Sequence, residues 1–442
     1  MTGKNLRIIV FVSLSIFLFS FLAFSQDISS STPTEFNLTN TILAAFKSNK
    51  DIQMQEQGVI VASANIEEAR SVFFPQVNAE LSYTHADRVP VQNIFLGYRN
   101  SNAIGLSANQ SIYSGGANMA TFRQSQLSLK AQQETLRAKK LDVEFDARRL
   151  YYGLLLAYET QRIAKEALSL GVAHYEDVRR MYEQGAASRF DMLQSGVQVS
   201  LLEPDVVKAA NEIDSIKADL NKLLARKVDS VIQTKEQLAY NFIQINENEF
   251  LQKAYLERPE IKLKSLGVDI DQWGIEMAKS GYRPQVDLAG NLAYTSNNLK
   301  TLFNDQQRNW SAGIAVNIPI FEGFSTKAKV DAAKAQYAQA KISQDNLVDQ
   351  VAVDIRKACL NLKQAEAIIR SQRDNVGQAK EALRIAEVSY ANGVAINLDV
   401  FDAQVSLAQI QKNLAAGIYD YLMAQAYLDR SIGESCIKET KK

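Results

Sequence analysis

Phe74-Pro75-Gln76-Val77 is followed 209 residues later by Arg283-Pro284-Gln285-Val286, which keeps the Pro-Gln-Val core. The segment Tyr182-x-x-Gly185-(five residues)-Asp191 likewise returns 208 residues later as Tyr390-x-x-Gly393-(five residues)-Asp399. From 112 to 224 the 208-residue offset holds without a gap against 320–432. A period this long is not that of a solenoid. The sequence therefore predicts a chain built from two copies of one half.

The second part of each half has the periodicity of long, packed helices. Apolar and small residues alternate at spacings of four and three from Val351 to Tyr390, and the equivalent positions of the first half run from Val143 to Tyr182. A repeat of 3.5 residues is typical of coiled-coil packing. Glycine after a periodic run stops a helix. We predict helical hairpins at about 117–184 with 188–226 and about 324–392 with 396–432, whose long arms reach on the order of 100 Å.

Two stretches with strand periodicity precede each hairpin. Val77, Leu81 and Tyr83 alternate with polar neighbours, as do the equivalent residues of the other stretches. We predict strands at about 75–86, 102–114, 284–296 and 309–321, which have the length and two-faced pattern of outer-membrane strands. Four strands cannot close a barrel, and lipid does not tolerate an open sheet edge. A chain that spans a membrane in this way must oligomerise, and composition does not choose between a dimer, a trimer and a tetramer.

The start of the chain reads as an export signal. Lys4 and Arg7 precede an apolar run from Ile8 to Phe24, and small residues follow, so we predict a signal peptide at 1–25. The alternative is an uncleaved inner-membrane anchor. Beyond residue 25 no apolar run approaches the ~20 residues of a membrane helix, so contact with a bilayer would have to be made by strands.

The remaining boundaries follow from the offset. We predict a first repeat at 26–226, a connector in the equatorial region at 227–249, a second repeat at 250–433 and a polar tail at 434–442. Each repeat begins with a helix, at Asn40–Ser71 and Phe250–Ser280. Pro259 should kink or restart the second of these helices because proline has no backbone N–H.

Charge and composition argue against several classes of function. After removal of the signal, 47 basic and 49 acidic side chains remain, which is no basic surplus for nucleic acid. Cys359 and Cys436 are too few for a disulfide framework and are predicted to be isolated thiols. With only His85 and His174, a metal cluster is not expected. No nucleophile–base pair or phosphate loop is present, so we expect neither an enzyme nor a cofactor.

The ordered set of motifs resembles the TolC-like outer-membrane efflux proteins (OEP family), and the resemblance covers essentially all of the chain after the signal. The motifs that carry it are Phe74-Pro75-Gln76-Val77, Ile112-Tyr113-Ser114-Gly115-Gly116, Arg258-Pro259-Glu260-Ile261, Asn317-Ile318-Pro319-Ile320-Phe321-Glu322-Gly323 and the two hairpin turns.

The resemblance implies a mainly α fold with membrane β structure. In a homotrimer, twelve strands would form a β-barrel in the outer-membrane lipid of a Gram-negative bacterium, continuous with a periplasmic α-helical barrel. The assembly would work with a periplasmic adaptor (membrane fusion) protein and an inner-membrane pump of the RND, ABC or MFS type. It would be the passive exit duct of a tripartite efflux or type I secretion system.

The resemblance also implies a gate at the periplasmic hairpin tips. Asp399 and Asp402 match two aspartates that ring the closed entrance, and Asp191 with Tyr390 matches a hydrogen-bonded pair that holds the tips closed. Ala395 stands where some members have a locking arginine, for which Arg189 is a candidate substitute. The tips, which are the expected adaptor-docking sites, comprise Gly185, Gly393, Ala186 and Val394. The expected strand-to-helix transitions are at Gly115, Pro319 and Gly323.

Plainer roles are open for several of these residues. Asp399 can cap a helix after the turn, whereas Asp402, one turn further along the same face, is not explained by capping. Tyr182 and Tyr390 end a packing seam and can serve packing alone. The glycines and Pro319 can serve backbone geometry alone.

Three other readings of the whole chain compete with the channel. A trimeric coiled-coil surface or periplasmic structural protein would place its strands together at the C-terminus, whereas here a strand pair precedes each hairpin. A pump adaptor would have one hairpin flanked by small β-domains. An enzyme would need a constellation of reactive groups that the sequence does not offer.

Overall fold

A computed structural model describes residues 36–85, 100–234 and 236–437 of the chain. The predicted signal peptide at 1–25 lies outside the described residues, as do residue 86 of the first predicted strand and residues 438–442 of the predicted tail. In the described part, no helix combines the length and the apolar character that crossing a bilayer requires.

The first repeat contains two short helices, a strand pair and a long hairpin. The bounds are α1 Leu38–Ser48, α2 Lys50–Ser71, β1 Gln76–His85, β2 Asn100–Ser114, α3 Ala117–Glu183 and α4 Arg189–Leu223. The second repeat has the same order. Its elements are α5 Glu247–Glu257, α6 Pro259–Lys279, β3 Gln285–Ser296, β4 Arg308–Asn317, α7 Ser325–Ala391 and α8 Asn397–Ile432. The helices α3 and α7 have 67 residues each, which corresponds to about 100 Å.

The strands form one antiparallel sheet in the order β1-β2-β3-β4. Gln76 lies opposite Asn109 in the first pair, and Gln285 lies opposite Asn317 in the second. These are the same positions after the 209- and 208-residue offsets, so the two repeats share one register. The repeats are joined where β2 pairs with β3, with Leu106 opposite Leu292. Within one chain, β1 and β4 are left as the edges of the sheet.

The strand predicted at 309–321 is shorter than expected and ends at Asn317. Two causes act together. Pro319 has no N–H to donate to a ladder. In the first repeat, the equivalent end of β2 is held in the sheet because Tyr113 and Ser114 pair with β3 after a register shift. The end of β4 has no strand on that side in its own chain, because β4 is an edge strand.

The prediction of one helix at Asn40–Ser71 was wrong, because the helix is interrupted at Asn49. Asn49 has an extended backbone, with ψ of 127°, and its side chain accepts hydrogen bonds from the N–H groups of Asp51 and Ile52. It therefore ends α1 and caps α2. The aligned residue Arg258 is also extended, and α6 restarts at Pro259, where the missing N–H costs nothing.

The predicted 3.5-residue seams are buried between the arms of the hairpins. Ile355, Leu362 and Ile369 of α7 are fully buried and pack with Tyr421 and Leu428 of α8. In the first repeat, Val143, Leu150 and Leu154 of α3 pack with Ile213 and Leu220 of α4. The hairpins are held along their length by apolar burial, at roughly 25 cal/mol per Å².

The segment between the repeats runs across both hairpins without regular structure. It begins after α4, where Ala225 takes a left-handed φ of 52°, and ends where α5 begins at Glu247. Ile232 is buried in the core of the first hairpin, and the N–H of Ile243 donates to the hydroxyl of Tyr421 at 2.9 Å. The connector therefore covers the Tyr421 side of α8.

Candidate functional site at the hairpin tips

Both hairpins turn through the same backbone structure. Gly185 and Gly393 have φ of 76° and 72°, and a Cβ at either would meet no atom within 4 Å. Glycine is therefore required at these turns by the left-handed backbone and not by crowding. The N–H of Ala186 donates to the carbonyl of Met181 at 2.7 Å, and the N–H of Val394 donates to that of Ser389 at 2.9 Å. These bonds close both helix ends in the same way.

Asp191 and Asp399 are the third residues of the helices that follow the turns. The Asp191 carboxylate accepts from the N–H of Ser188 at 3.3 Å, and the Ser188 hydroxyl accepts from the N–H of Asp191 at 3.0 Å. This is a capping box. The Asp399 carboxylate accepts from the N–H of Ile396 at 3.0 Å, which is half of the same motif because isoleucine has no side-chain acceptor. Both aspartates therefore stabilise the first turn of the helix in which they lie.

Asp402 has no such task. It lies on the exposed surface of α8 one turn after Asp399, and its carboxylate makes no hydrogen bond or ion pair within the part of the chain that the structure describes. Its equivalent in the first repeat is Gln194. The carboxylate of Asp402 is therefore open to solvent near the tip.

Tyr390 is half-buried at the end of α7. Burial raises the pKa of its phenol, and the nearby negative charge of Asp191 raises it further. Asp191 is therefore close enough to act electrostatically on Tyr390, yet within the described residues of one chain the two side chains share no hydrogen bond. The Tyr390 ring instead packs edge-on against His174, with 5.2 Å between ring centroids.

A buried polar cluster that the sequence did not indicate joins the two hairpins behind the tips. The His174 ring of α3 lies 2.7 Å from the Oδ1 of Asn397 in α8. The Nδ2 of Asn397 donates to the carbonyl of Asp191 and to the hydroxyl of Ser195, both at 3.3 Å, in α4. Phe401 closes the cluster, with its ring centroid 5.2 Å from that of His174.

The cluster is almost dry and its protons can be assigned. His174, Asn397 and Ser195 are 7%, 3% and 0% exposed. Because the Nδ2 of Asn397 faces two acceptors, its Oδ1 must be the acceptor that faces His174, and the Nε2 of His174 donates. The one available signal in the sequence is disagreement between the repeats, since His174 is equivalent to Ala382 and Asn397 to Arg189.

The other predicted tip residues are on the surface. Arg189 is exposed and makes no ion pair with any described residue of its own chain. Val394 is 83% exposed, and Ala186 is exposed as well. Ala186 and Val394 give the tips an apolar surface together with Phe190 and Ile396, which are 71% and 64% exposed.

The strand-to-helix transitions use two successive left-handed residues. They are Gly115 and Gly116 in the first repeat, with φ of 66° and 98°, and Gly323 and Phe324 in the second, with φ of 59° and 67°. Phe324 was not predicted, and a bulky residue in this conformation is strained by roughly 1–2 kcal/mol. Gly115 is also crowded, because a Cβ there would lie 2.5 Å from the carbonyl oxygen of Ser280. Pro319 lies between β4 and this turn.

Among the described residues no group of three or more His, Cys, Asp and Glu side chains is arranged to hold a metal ion.

Comparison with known proteins relates both repeats to one family. The family model described as outer membrane efflux protein matches residues 42–226 and 250–434. The outer membrane efflux protein BepC of Brucella suis biovar 1 (strain 1330) is 22% identical over 396 residues, which are 90% of this chain and 85% of BepC. Outer membrane protein TolC of Vibrio cholerae serotype O1 is 22% identical over 381 residues, 83% of either chain.

A solved structure has the same fold. The Campylobacter jejuni CmeC outer membrane channel superposes with a TM-score of 0.80 at 19% identity, covering 93% of this chain and 90% of that one. The family model spans both repeats and the greater part of the sequence, and this chain belongs to the outer membrane efflux protein family.

Proposed function

We propose that three copies of this chain form the outer-membrane exit duct of a tripartite efflux or type I secretion system. The duct would be passive and would catalyse no reaction. A periplasmic adaptor would dock at the apolar hairpin tips, around Gly185, Ala186, Gly393 and Val394, and would connect the duct to an inner-membrane pump. The observation that supports the proposal most directly is that the two repeats pair their strands in the same register. Because of this, the free edge of β4 in one chain can pair with the free edge of β1 in another chain.

The helices support the same assembly. Within one chain, α3 of the first repeat packs along α8 of the second. The repeat equivalents of α3 and α8 are α7 and α4, so the matching contact is between α7 of one copy and α4 of the next. The exposures agree with this assignment. Phe401 is 5% exposed against α3, whereas its equivalent in α4, Leu193, is 55% exposed in the single chain. Such a head-to-tail contact generates a ring when its rotation closes, as the proposed trimer requires.

The register of the sheet predicts which residues of two copies would meet at the proposed seam. Leu106 of β2 lies opposite Leu292 of β3. When Leu106 and Leu292 are replaced by their equivalents in the other repeat, Ile314 of β4 should lie opposite Tyr83 of β1 in the next copy. Within one chain these residues are on opposite edges of the sheet, three strand spacings apart across it and eight residues apart along it, a separation of at least about 25 Å. That distance is too great for a disulfide, so a bond between them would have to join two copies.

We therefore expect Ile314→Cys combined with Tyr83→Cys to form intermolecular disulfides, in a background with Cys359 and Cys436 replaced by alanine. Non-reducing electrophoresis of oxidised membranes should show a ladder that stops at three chains. The control combines Tyr83→Cys with Ala315→Cys, because a slip of one residue moves the side chain to the other face. Equal cross-linking of the two pairs, or a ladder that stops at two or four chains, would refute the assembly.

The gate proposal rests on Asp402 and Asp399 together. The connector covers the Tyr421 side of α8, and Asp402 lies on a different, uncovered face. Three copies would bring six carboxylates into a narrow opening, which favours cations over anions. Arg189 lacks a partner among the described residues of its own chain, so any locking role for it would have to involve another copy. Asp191 and Tyr390 would contribute through their electrostatic coupling.

We expect Asp402→Asn to lower cation selectivity in planar bilayers and to weaken block by multivalent cations by about tenfold, a loss of roughly 1.4 kcal/mol. Asp399→Asn should lower selectivity as well while keeping a side-chain acceptor for the cap. The matched control is Asp205→Asn, which removes an exposed carboxylate from α4 that pairs with Lys412 at 3.3 Å. Unchanged selectivity in Asp402→Asn would argue against the ring.

A further inference from the structure

An open cavity of about 350 Å³ lies along α8 above the tips, and its walls belong to α3, α7 and α8. Asp402 and Asp420 are 18 residues apart, which is about five helical turns, so they lie on the same face of α8. None of the connector residues that the structure describes contributes to the walls. The cavity therefore opens on the face that would line the bore of the duct.

The cavity combines an apolar wall with one carboxylate. The rings of Phe145 and Tyr427 meet edge-on with centroids 6.4 Å apart, and Met423 and Ile368 extend the apolar surface. Asp420 is the single charged residue of the lining. It makes no hydrogen bond or ion pair with the described residues of the chain. Although Asp420 is at the surface, the walls shield its carboxyl from water enough to raise its pKa.

We propose that this cavity is a binding site for organic cations that carry an aromatic or similarly apolar group. The inference rests on the proposed function, because the cavity meets cargo only when the copies enclose a bore. The carboxylate attracts the charge, an open face of the Phe145 or Tyr427 ring stabilises a cation, and the thioether of Met423 adapts to the apolar part. A duct needs sites that bind weakly enough to release their cargo.

The first repeat supplies an internal comparison. Asp420, Met423 and Tyr427 are equivalent to Glu212, Ser215 and Asp219 of α4, and Phe145 is equivalent to Val353 of α7. Glu212 and Ser215 line a groove on α4. That groove has Glu203 and Glu212 beside Lys208 and no aromatic ring, so it should attract cations only weakly and without selecting aromatic ones. The difference assigns the selectivity to the second repeat.

The test uses phenyltrimethylammonium and tetramethylammonium as blockers of ion current through the wild-type protein in planar bilayers. Phenyltrimethylammonium should block at concentrations at least about tenfold lower than tetramethylammonium. Asp420→Asn should weaken the block by phenyltrimethylammonium about tenfold, and Tyr427→Leu should weaken it while leaving tetramethylammonium block within about twofold. The matched control Glu212→Gln should change neither blocker by more than about twofold.

Equal effects of Asp420→Asn and Glu212→Gln would show that the general negative field of the bore acts, and the site would be refuted. The same holds if the wild-type protein does not distinguish the two blockers. In both cases the protein still conducts, so the proposed duct stands. Absence of any conductance from assembled protein would instead overturn the proposed function.

Discussion

Asn397→Ala will open the duct. The side chain of Asn397 is the centre of the cluster that ties α8 to α3 and α4, and its removal leaves the Nε2 of His174 without its acceptor in a nearly dry site. A buried polar group left without a partner costs about 1–3 kcal/mol. If the bond between His174 and Asn397 exists only in the closed duct, its loss destabilises the closed state alone. The ratio of closed to open duct should then fall roughly 5- to 150-fold. Single-channel recordings should show larger and more frequent openings.

The control is Asn413→Ala, which removes an asparagine from the same helix. Asn413 is exposed, and among the described residues its side chain accepts only from Gln409, at 2.8 Å on α8 itself, so its loss should leave the recordings unchanged. His174→Gln retains a donor near the position of Nε2 and should stay close to the wild type. Recordings of Asn397→Ala that match those of Asn413→Ala would contradict the clamp.

The clamp also indicates where the tips separate. His174 and Asn397 hold together the hairpins of one chain, and the equivalent residues at the proposed contact between copies are Ala382 and Arg189, which cannot form the same buried bond. Loss of the clamp can favour the open duct only if opening separates α8 from α3 and α4 of its own chain, so we expect the tips of the two hairpins to part there. An engineered disulfide between α3 and α8 beside the cluster should then keep the duct closed.

The duplication is visible in the sequence because both repeats need the same pattern of buried residues and the same residue types at their turns. The seams of α3 and α7, the glycine turns and the two-faced strands each follow from local rules of periodicity and φ. The cluster at His174 could not be found in this way, because a lone histidine and an asparagine at a helix start carry no pattern. Their partnership depends on the packing of α3 against α8, which is tertiary. The interruption at Asn49 was missed for a related reason, since capping by one asparagine is a weaker signal than the proline in the second repeat.

The second large effect is expected at the far end of α8, where a buried ion network ties α8 and the segment after it to the middle of α3. Arg148 lies between Glu144, at 3.3 Å, and Asp429 of α8, at 2.6 Å, and the Arg148 and Glu144 side chains are 7% and 4% exposed. Glu144 also accepts from the N–H of Cys436 at 2.9 Å and from the hydroxyl of Ser435. Burial alone would lower the pKa of Arg148. The charge of Asp429 and the hydrogen bonds raise the pKa by more than burial lowers it, so the guanidinium stays charged.

Arg148→Ala leaves Glu144 and Asp429 facing each other without a cation. Breaking a buried ion pair by removing one partner costs about 3–5 kcal/mol. The control is Arg162→Ala, also on α3, whose 55% exposed side chain pairs with Glu159 and Glu166 at 2.7 and 2.8 Å. Such surface pairs contribute about 0–1 kcal/mol. Thermal unfolding of the detergent-solubilised protein, followed by circular dichroism, should separate the two variants clearly.

The loss in Arg148→Ala should depend on pH in a defined direction. Burial already raises the pKa of Asp429 with Arg148 in place, and the charge of Arg148 opposes that rise. Without Arg148 the folded-state pKa rises further above the unfolded value, so the folded protein binds the extra proton. Stability is then lost as pH rises through the folded pKa and regained as pH falls. We expect the difference between Arg148→Ala and wild type to be smaller at pH 5 than at pH 7.5. A difference that is constant or grows toward pH 5 would show that lost packing, not uncompensated charge, causes the destabilisation.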